Sequence, residues 1–227
     1  MSNNGPLRSL PPELTGSRLV FWDFDGVIKE SVDVKTRAFA ALFEWAGPDV
    51  TAAVIEHHLA HGGMSRTEKI PRYLEMAGET PSAHRAEELC GRFGHLVFQQ
   101  VVDAAWVPGV ESYLRANPLN QQFVLVSATP QTELERILDA LGLRPVFSQV
   151  YGAPLSKTEA VSRAIAKADV VTQDCVFVGD ARADWAAARD HGIKFVLRRH
   201  ASNRDAFADF TGPSLTEFPE CLPAPHN

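Results

Sequence analysis

Positive charge is in short supply: Lys and Arg number 22 against 28 Asp and Glu, for a formal net charge of −6. That balance argues against a general binder of nucleic acid or of an acidic membrane surface, although a few placed cations suffice for a small phosphorylated molecule. Cysteine is scarce as well. Cys90, Cys175 and Cys221 are odd in number and lack the spacing of a metal site or disulfide framework, so reduced thiols in a cytoplasmic protein are expected. Long apolar runs are missing, since no stretch approaches the roughly 20 residues needed to span a bilayer. The opening segment MSNNGPLRSLPPELTGS has no apolar signal region. These absences lead to the expectation of a soluble protein without a secretion signal, neither membrane-bound nor nucleic-acid-binding. Internal repeats and low-complexity tracts are also absent.

What is present is enough for a substantial core: 227 residues, 45% of them hydrophobic, suit one large domain or a domain with a sizeable insert. An apolar run at Leu19–Trp22 reads as a first strand. It is followed by helical spacing at Val34, Ala38, Ala41, Leu42 and Trp45, and by three further helical patterns at about 50–61, 66–77 and 82–104, with no strand between them. From residue 105 the pattern changes to short helices alternating with β-rich runs at 122–127, 147–152, 175–179 and 194–197. Such alternation implies an α/β fold, a doubly wound parallel sheet covered by helices on both faces. The expected organisation is a core of residues 18–31 and 105–210, an inserted all-helical cap of residues 32–104, and poorly ordered ends at 1–17 and 211–227, which are rich in Pro, Ser, Asn and Gly.

The chemistry begins at LVFWDFDGVIKES (19–31), where Asp23 and Asp25 follow the first strand two residues apart. Alternation along a strand brings residues at that spacing to one side, so both carboxylates meet in one small volume. Like charges that close need a cation, and a hard divalent ion is the usual one; a solvated turn is the alternative reading of a lone D-x-D. In open parallel sheets the ligand crevice lies beyond the carboxyl ends of the strands, and each expected strand end here carries a polar residue. Ser127 and Thr129 follow the second, and Asp180 follows CVFVG. Lys157 lies in SKTE (156–159), a capping-box signature that opens a helix. Singly these residues also read as a helix cap, a turn residue and a solvated lysine; together they describe a single phosphate site.

With those residues in place the sequence resembles the haloacid dehalogenase superfamily of phosphotransferases from Leu19 to about Leu197, with a small helical cap of the phosphatase and phosphoglucomutase branch. DFDGV resembles the first motif, with Asp23 as nucleophile and Asp25 as general acid/base; VLVSAT the second, with Ser127; Lys157 the third; and VGDARAD the fourth, with Asp180 and Asp184. The resemblance implies an aspartyl-phosphate intermediate on Asp23 and Mg²⁺ as cofactor, held by Asp23, the backbone carbonyl of Asp25 and Asp180. Ser127 and the Ala128 N–H would donate to phosphoryl oxygens, Lys157 would screen nucleophile and phosphate, Asp184 would orient Lys157 or hold a water, and Gly26 would turn the backbone and offer its N–H to phosphate.

In the cap, HGGMSRTEK (61–69) resembles the specificity loop of phosphosugar mutases and sugar phosphatases. Gly63 would allow close approach, Ser65 would cap the next helix in a box with Glu68, and Arg66 would reach the substrate; a plain helix connection is the alternative. His57, His58 and His61 precede this loop, and His57 and His61 read as one helical turn apart on a polar face rather than as a metal site. The expected function is a Mg²⁺-dependent phosphatase acting on a small phosphorylated metabolite, a sugar phosphate, as a monomer or small homo-oligomer. The alternatives are a phosphosugar mutase of the β-phosphoglucomutase type and a catalytically silent binder of a phosphorylated ligand.

Overall fold

A computed structural model describes residues 6–221 of the chain. Six parallel strands form one sheet in the order β3-β2-β1-β4-β5-β6. They are β1 (Leu19–Trp22), β2 (Gln122–Pro130), β3 (Gln149–Ala153), β4 (Cys175–Gly179), β5 (Lys194–Arg198) and β6 (Ser214–Leu215). The central strands are continuous apolar runs because both of their faces are covered. Val20 and Trp22 of β1 enter one hydrophobic core with Phe123, Leu125, Val176 and Val178. Leu19 and Phe21 enter the other with Val124, Val126, Cys175 and Phe177. The two-residue period of a strand thus distributes consecutive side chains to opposite faces.

The covering helices of the core are α6 (Val110–Ala116), α7 (Gln131–Ala140), α8 (Lys157–Ala168) and α9 (Arg182–Asp190). Between β1 and β2 the chain forms α2 (Val32–Phe43), α3 (Pro48–Ala60), α4 (Arg66–Met76) and α5 (Ala83–Asp103), an all-helical insert with no strand. The apolar face of α2 differs from the expected one. Val34, Ala38 and Leu42 are buried as the spacing predicts, but Phe39 and Phe43 complete the face and Trp45 is 49% exposed, because the helix ends at Phe43. The insert is tied to the core by two adjacent connections: the Glu30 N–H donates to the Ala105 carbonyl (2.9 Å) and the Val107 N–H to that of Ile28 (3.0 Å).

The ends carry more structure than their composition predicts. The short helix α1 (Pro12–Thr15) buries Leu14, and Leu10, Leu215 and Phe218 also enter the core. Polar and Pro-rich composition conceals these few apolar anchors; residues 1–5 and 222–227 lie outside the described residues. No helix of the described residues is long and apolar enough to cross a membrane.

Candidate active site

The site lies where the strand order reverses, with the carboxyl end of β1 between those of β2 and β4. The Asp23 N–H still donates to Val178 of β4 (3.0 Å), so the residue continues the sheet and its carboxylate emerges at the crevice. Asp23 is buried, accepts the Phe24 N–H at Oδ1 (2.8 Å) and lies 2.9 Å from Lys157 Nζ at Oδ2. Lys157 is the first residue of α8, whose capping box forms as expected: Ser156 Oγ accepts the Glu159 N–H, and the Glu159 carboxylate accepts the Ser156 N–H. That cap sets the first turn of α8 and directs the lysine at the crevice.

Lys157 also donates to Asp184 (2.5 Å), which is completely buried and accepts the N–H groups of Asp180 (3.2 Å) and Ala181 (3.0 Å). Asp184 therefore orients Lys157 while closing the turn into α9. Asp180 is held from outside the expected motifs, by His200 Nε2 2.8 Å from its Oδ2 and by the Asn203 amide donating to its carbonyl (3.0 Å).

Carboxylate oxygens of Asp23, Asp180 and Asp184 lie within 4.8 Å of one another. Burial pushes all three carboxyls up: Asp23 to about 7, with Asp184 and Asp25 adding repulsion and Lys157 opposing it, and Asp180 to about 6, with His200 opposing. Three carboxylates against one lysine leave two formal negative charges, the charge of one divalent cation, and all the donors are hard oxygens. The donor set fits Mg²⁺.

The Asp25 carboxylate, expected as acid/base rather than as a ligand, stands outside the triad, accepting Ser31 Oγ (2.6 Å) and forming an ion pair with Lys35. Lys35, in the first turn of α2, also donates to Thr129 Oγ1 (2.8 Å), so it joins β1, the insert and β2 around Asp25. Gly26 has φ +75°, and a Cβ there would lie 2.2 Å from Asp180 Oδ2; its backbone approaches the site as expected. Its N–H donates to the Lys29 carbonyl (2.7 Å), closing a turn, so the expected donation to phosphate is corrected. Ser127 is buried and its Oγ accepts the Thr129 N–H (3.1 Å), while Ala128 lines the cavity. The β2–β3 register slips between Val126 and Pro130, which bends the chain at these residues.

The cap residues meet different fates. Gly63 has φ +82°, and a Cβ there would lie 2.8 Å from that of Ala183, so the cap turn does press on the core. Ser65 caps α4 and accepts the Glu68 N–H (3.3 Å), but the box is half made, since the Glu68 carboxylate takes the Ser65 hydroxyl (2.6 Å). Arg66 lines the cavity, but its guanidinium is engaged by the core. Both of its terminal nitrogens donate to Glu133 of α7, at 3.1 and 2.7 Å, forming a bidentate pair between cap and core. His61 is exposed, but His57 is buried rather than on a polar face, and His58 is buried beside it. His57 Nδ1 contacts the Tyr73 hydroxyl (3.2 Å) and its ring stacks on His61, and neither belongs to a metal-like cluster among the described residues.

One cavity of about 100 Å³ spans core and cap, and Asp23, Asp25, Lys35, His58, Arg66 and Lys69 are among the residues lining it. Lys35, Glu133 and His200 escaped the sequence reading, and Lys69 entered it only as the last residue of HGGMSRTEK, with no role. For Lys69 a signal existed, because it sits four residues before Tyr73 on the buried face of α4, where the helical pattern calls for an apolar residue.

Comparison with known proteins agrees with this architecture. The family described as haloacid dehalogenase-like hydrolase matches residues 18–192. A phosphoglycolate phosphatase of Cereibacter sphaeroides is 30% identical over 186 residues, 78% of this chain and 83% of that protein. The crystal structure of CbbY from Rhodobacter sphaeroides in complex with phosphate superposes with a TM-score of 0.70 at 17% identity, covering 89% of this chain and 95% of that one. β-Phosphoglucomutase from Clostridium difficile gives a TM-score of 0.71 at 20% identity, covering 88% and 91%. At those identities the two solved structures establish the shared fold.

Proposed function

The chain belongs to the haloacid dehalogenase-like hydrolase family, and from that premise we propose a Mg²⁺-dependent phosphatase that hydrolyses a short phosphate monoester through an aspartyl-phosphate on Asp23. The observation that carries this reading is the placement of Asp23: a buried carboxylate at the carboxyl end of β1, held by Lys157 and opening on a cavity it shares with Asp25. Bound to Asp23, Asp180 and the Asp25 carbonyl, with Asp184 beside them, Mg²⁺ would supply charge that offsets the repulsion between a carboxylate and a phosphate dianion.

Asp23 attacks phosphorus in line and the ester oxygen leaves, so one hard displacement becomes two easier ones. Asp25 gives the leaving oxygen its proton and then takes one from the water that attacks the aspartyl-phosphate; such help is worth roughly 10²–10⁴-fold. The Lys35 and Ser31 contacts fix the Asp25 carboxylate for that exchange. Lys157, held by Asp184, keeps a positive charge against Asp23 and the transferring phosphoryl group. Ser127 and Ala128 supply donors for phosphoryl oxygens from the bend in β2.

The curated relatives narrow the substrate. The 30% identical phosphoglycolate phosphatase supports phosphoglycolate, a phosphorylated two-carbon hydroxy acid, over the expected sugar phosphate and over the mutase reading.

The test is phosphate release from a panel of two- to six-carbon phosphate esters with and without Mg²⁺. Metal-dependent turnover led by the two- and three-carbon esters, and lost in Asp23→Asn, is expected. Normal turnover by Asp23→Asn would overturn the nucleophile assignment, and a lead for hexose phosphates would overturn the short-ester reading.

A further inference from the structure

Five lysine and arginine side chains line the cavity, and four have carboxylate partners. Lys157 meets Asp23 and Asp184, Lys35 meets Asp25, Arg66 meets Glu133, and Arg182 meets Asp209. Lys69 has no carboxylate within ion-pair distance among the described residues, although it is only 2% exposed. Its Nζ lies 2.9 Å from His58 Nδ1 and 3.4 Å from the His58 carbonyl, with the Phe39 ring 5.8 Å away. Burial holds His58 neutral, its pKa pushed down to about 2. Its Nδ1 is then the acceptor and Nε2–H remains a donor. A desolvated ammonium without a counter-charge is costly, and Lys69 lies on the cavity wall contributed by the cap.

We infer that Lys69 and His58 form the subsite for a carboxylate on the substrate's leaving group, so that the enzyme selects phosphorylated short hydroxy acids over neutral esters of the same size. The inference rests on the phosphatase reading and adds the residues that choose among its substrates. A single ammonium beside a neutral imidazole balances one negative charge, which suits a carboxylate better than a second phosphate dianion. Selection follows because the carboxylate supplies the counter-ion that the fold leaves out, while a hydroxyl in its place leaves Lys69 buried and unpaired.

The experiment compares kcat/KM for phosphoglycolate and for 2-hydroxyethyl phosphate, its neutral counterpart, in the wild type and in Lys69→Met. The wild type should prefer phosphoglycolate by roughly 10–150-fold, the range expected for a hydrogen bond to a charged group. Lys69→Met should lose that preference while its turnover of 2-hydroxyethyl phosphate stays within about threefold, a result that also reports correct folding. Equal losses on both substrates, or an unchanged preference, would overturn the assignment.

The wild-type enzyme gives a check that needs no variant. Burial lowers the Lys69 pKa to about 7; Lys35 and Lys157 push it the same way, and Asp25 and Glu68 oppose. Because kcat/KM reports the free enzyme, the preference should decline as pH rises past about 7, and a ratio constant between about pH 6 and pH 9 would overturn the proposal. Turnover of 2-hydroxyethyl phosphate without preference would sink the subsite alone; turnover of neither ester would sink the phosphatase reading beneath it.

Discussion

The pair between Arg66 and Glu133 makes the cap's closed position a measurable quantity. Arg66 is the first residue of α4 in the cap and Glu133 lies in the first turn of α7 in the core, so opening the cap must separate them. Both side chains are 11% exposed, and the two contacts of 3.1 and 2.7 Å form a bidentate fork. Removing one partner of a fully buried ion pair costs about 3–5 kcal/mol; discounting for the remaining exposure leaves about 2–3 kcal/mol in the closed state. That is roughly 30–150-fold in the equilibrium between closed and open cap. The two single variants should not be equal. A carboxylate in the first turn of α7 is favoured by the helix dipole, whereas a cation at the first position of α4 is disfavoured, so Glu133→Gln should cost more than Arg66→Met. The assay is a double-mutant cycle on kcat/KM for the best substrate, with thermal melts to separate closure from folding. Each single variant should lower kcat/KM by roughly 10–100-fold, chiefly through KM, and the double variant should be no worse than the weaker single. Additive losses would refute the clasp, because they would mean that Arg66 acts on the substrate independently of Glu133.

Two further outcomes follow from the carboxylate cluster and from Asp25. Mg²⁺ should raise Tm more at about pH 8 than at about pH 5, because Asp23 and Asp180, with pKa values pushed to about 7 and about 6, bind protons in competition with metal at the lower pH. The sign comes from raised carboxyl pKa values: above their usual range the metal-free fold loses stability as these groups ionise, and the cation restores it. An equal Tm rise at both pH values would place the metal elsewhere. Asp25→Asn should lower kcat/KM for an alkyl phosphate at least tenfold more than for an aryl phosphate, whose leaving oxygen needs little protonation; because kcat/KM stops at the aspartyl-phosphate, equal losses in it would remove the acid role.

The sequence by itself determined the parallel α/β fold, the helical insert and the positions of the core motifs, because each rests on local physics. The apolar run Leu19–Trp22 must be covered on both faces, and Asp23 follows it directly. The box at 156–159 needs only residues three apart, and it carries Lys157 with it. Even so, local rules misjudged what depends on distant partners. Composition at the ends conceals that Leu14 and Phe218 fill gaps in the core. The Gly26 turn was legible, but not that Lys29 takes its N–H.

Tertiary structure alone decided which charges meet. Lys35 reaches Thr129 across 94 positions of sequence and Arg66 reaches Glu133 across 67. His200 and Asn203 return from beyond β5 to hold Asp180. A long charged side chain follows no periodicity toward its partner, so only packing of the insert on the core shows that Arg66 is occupied and Lys69 is left without a carboxylate. Lys69 stands among apolar neighbours on α4, so sequence marks it as an anomaly. Its place above the aspartates comes from the way α3, α4 and the core enclose one small cavity.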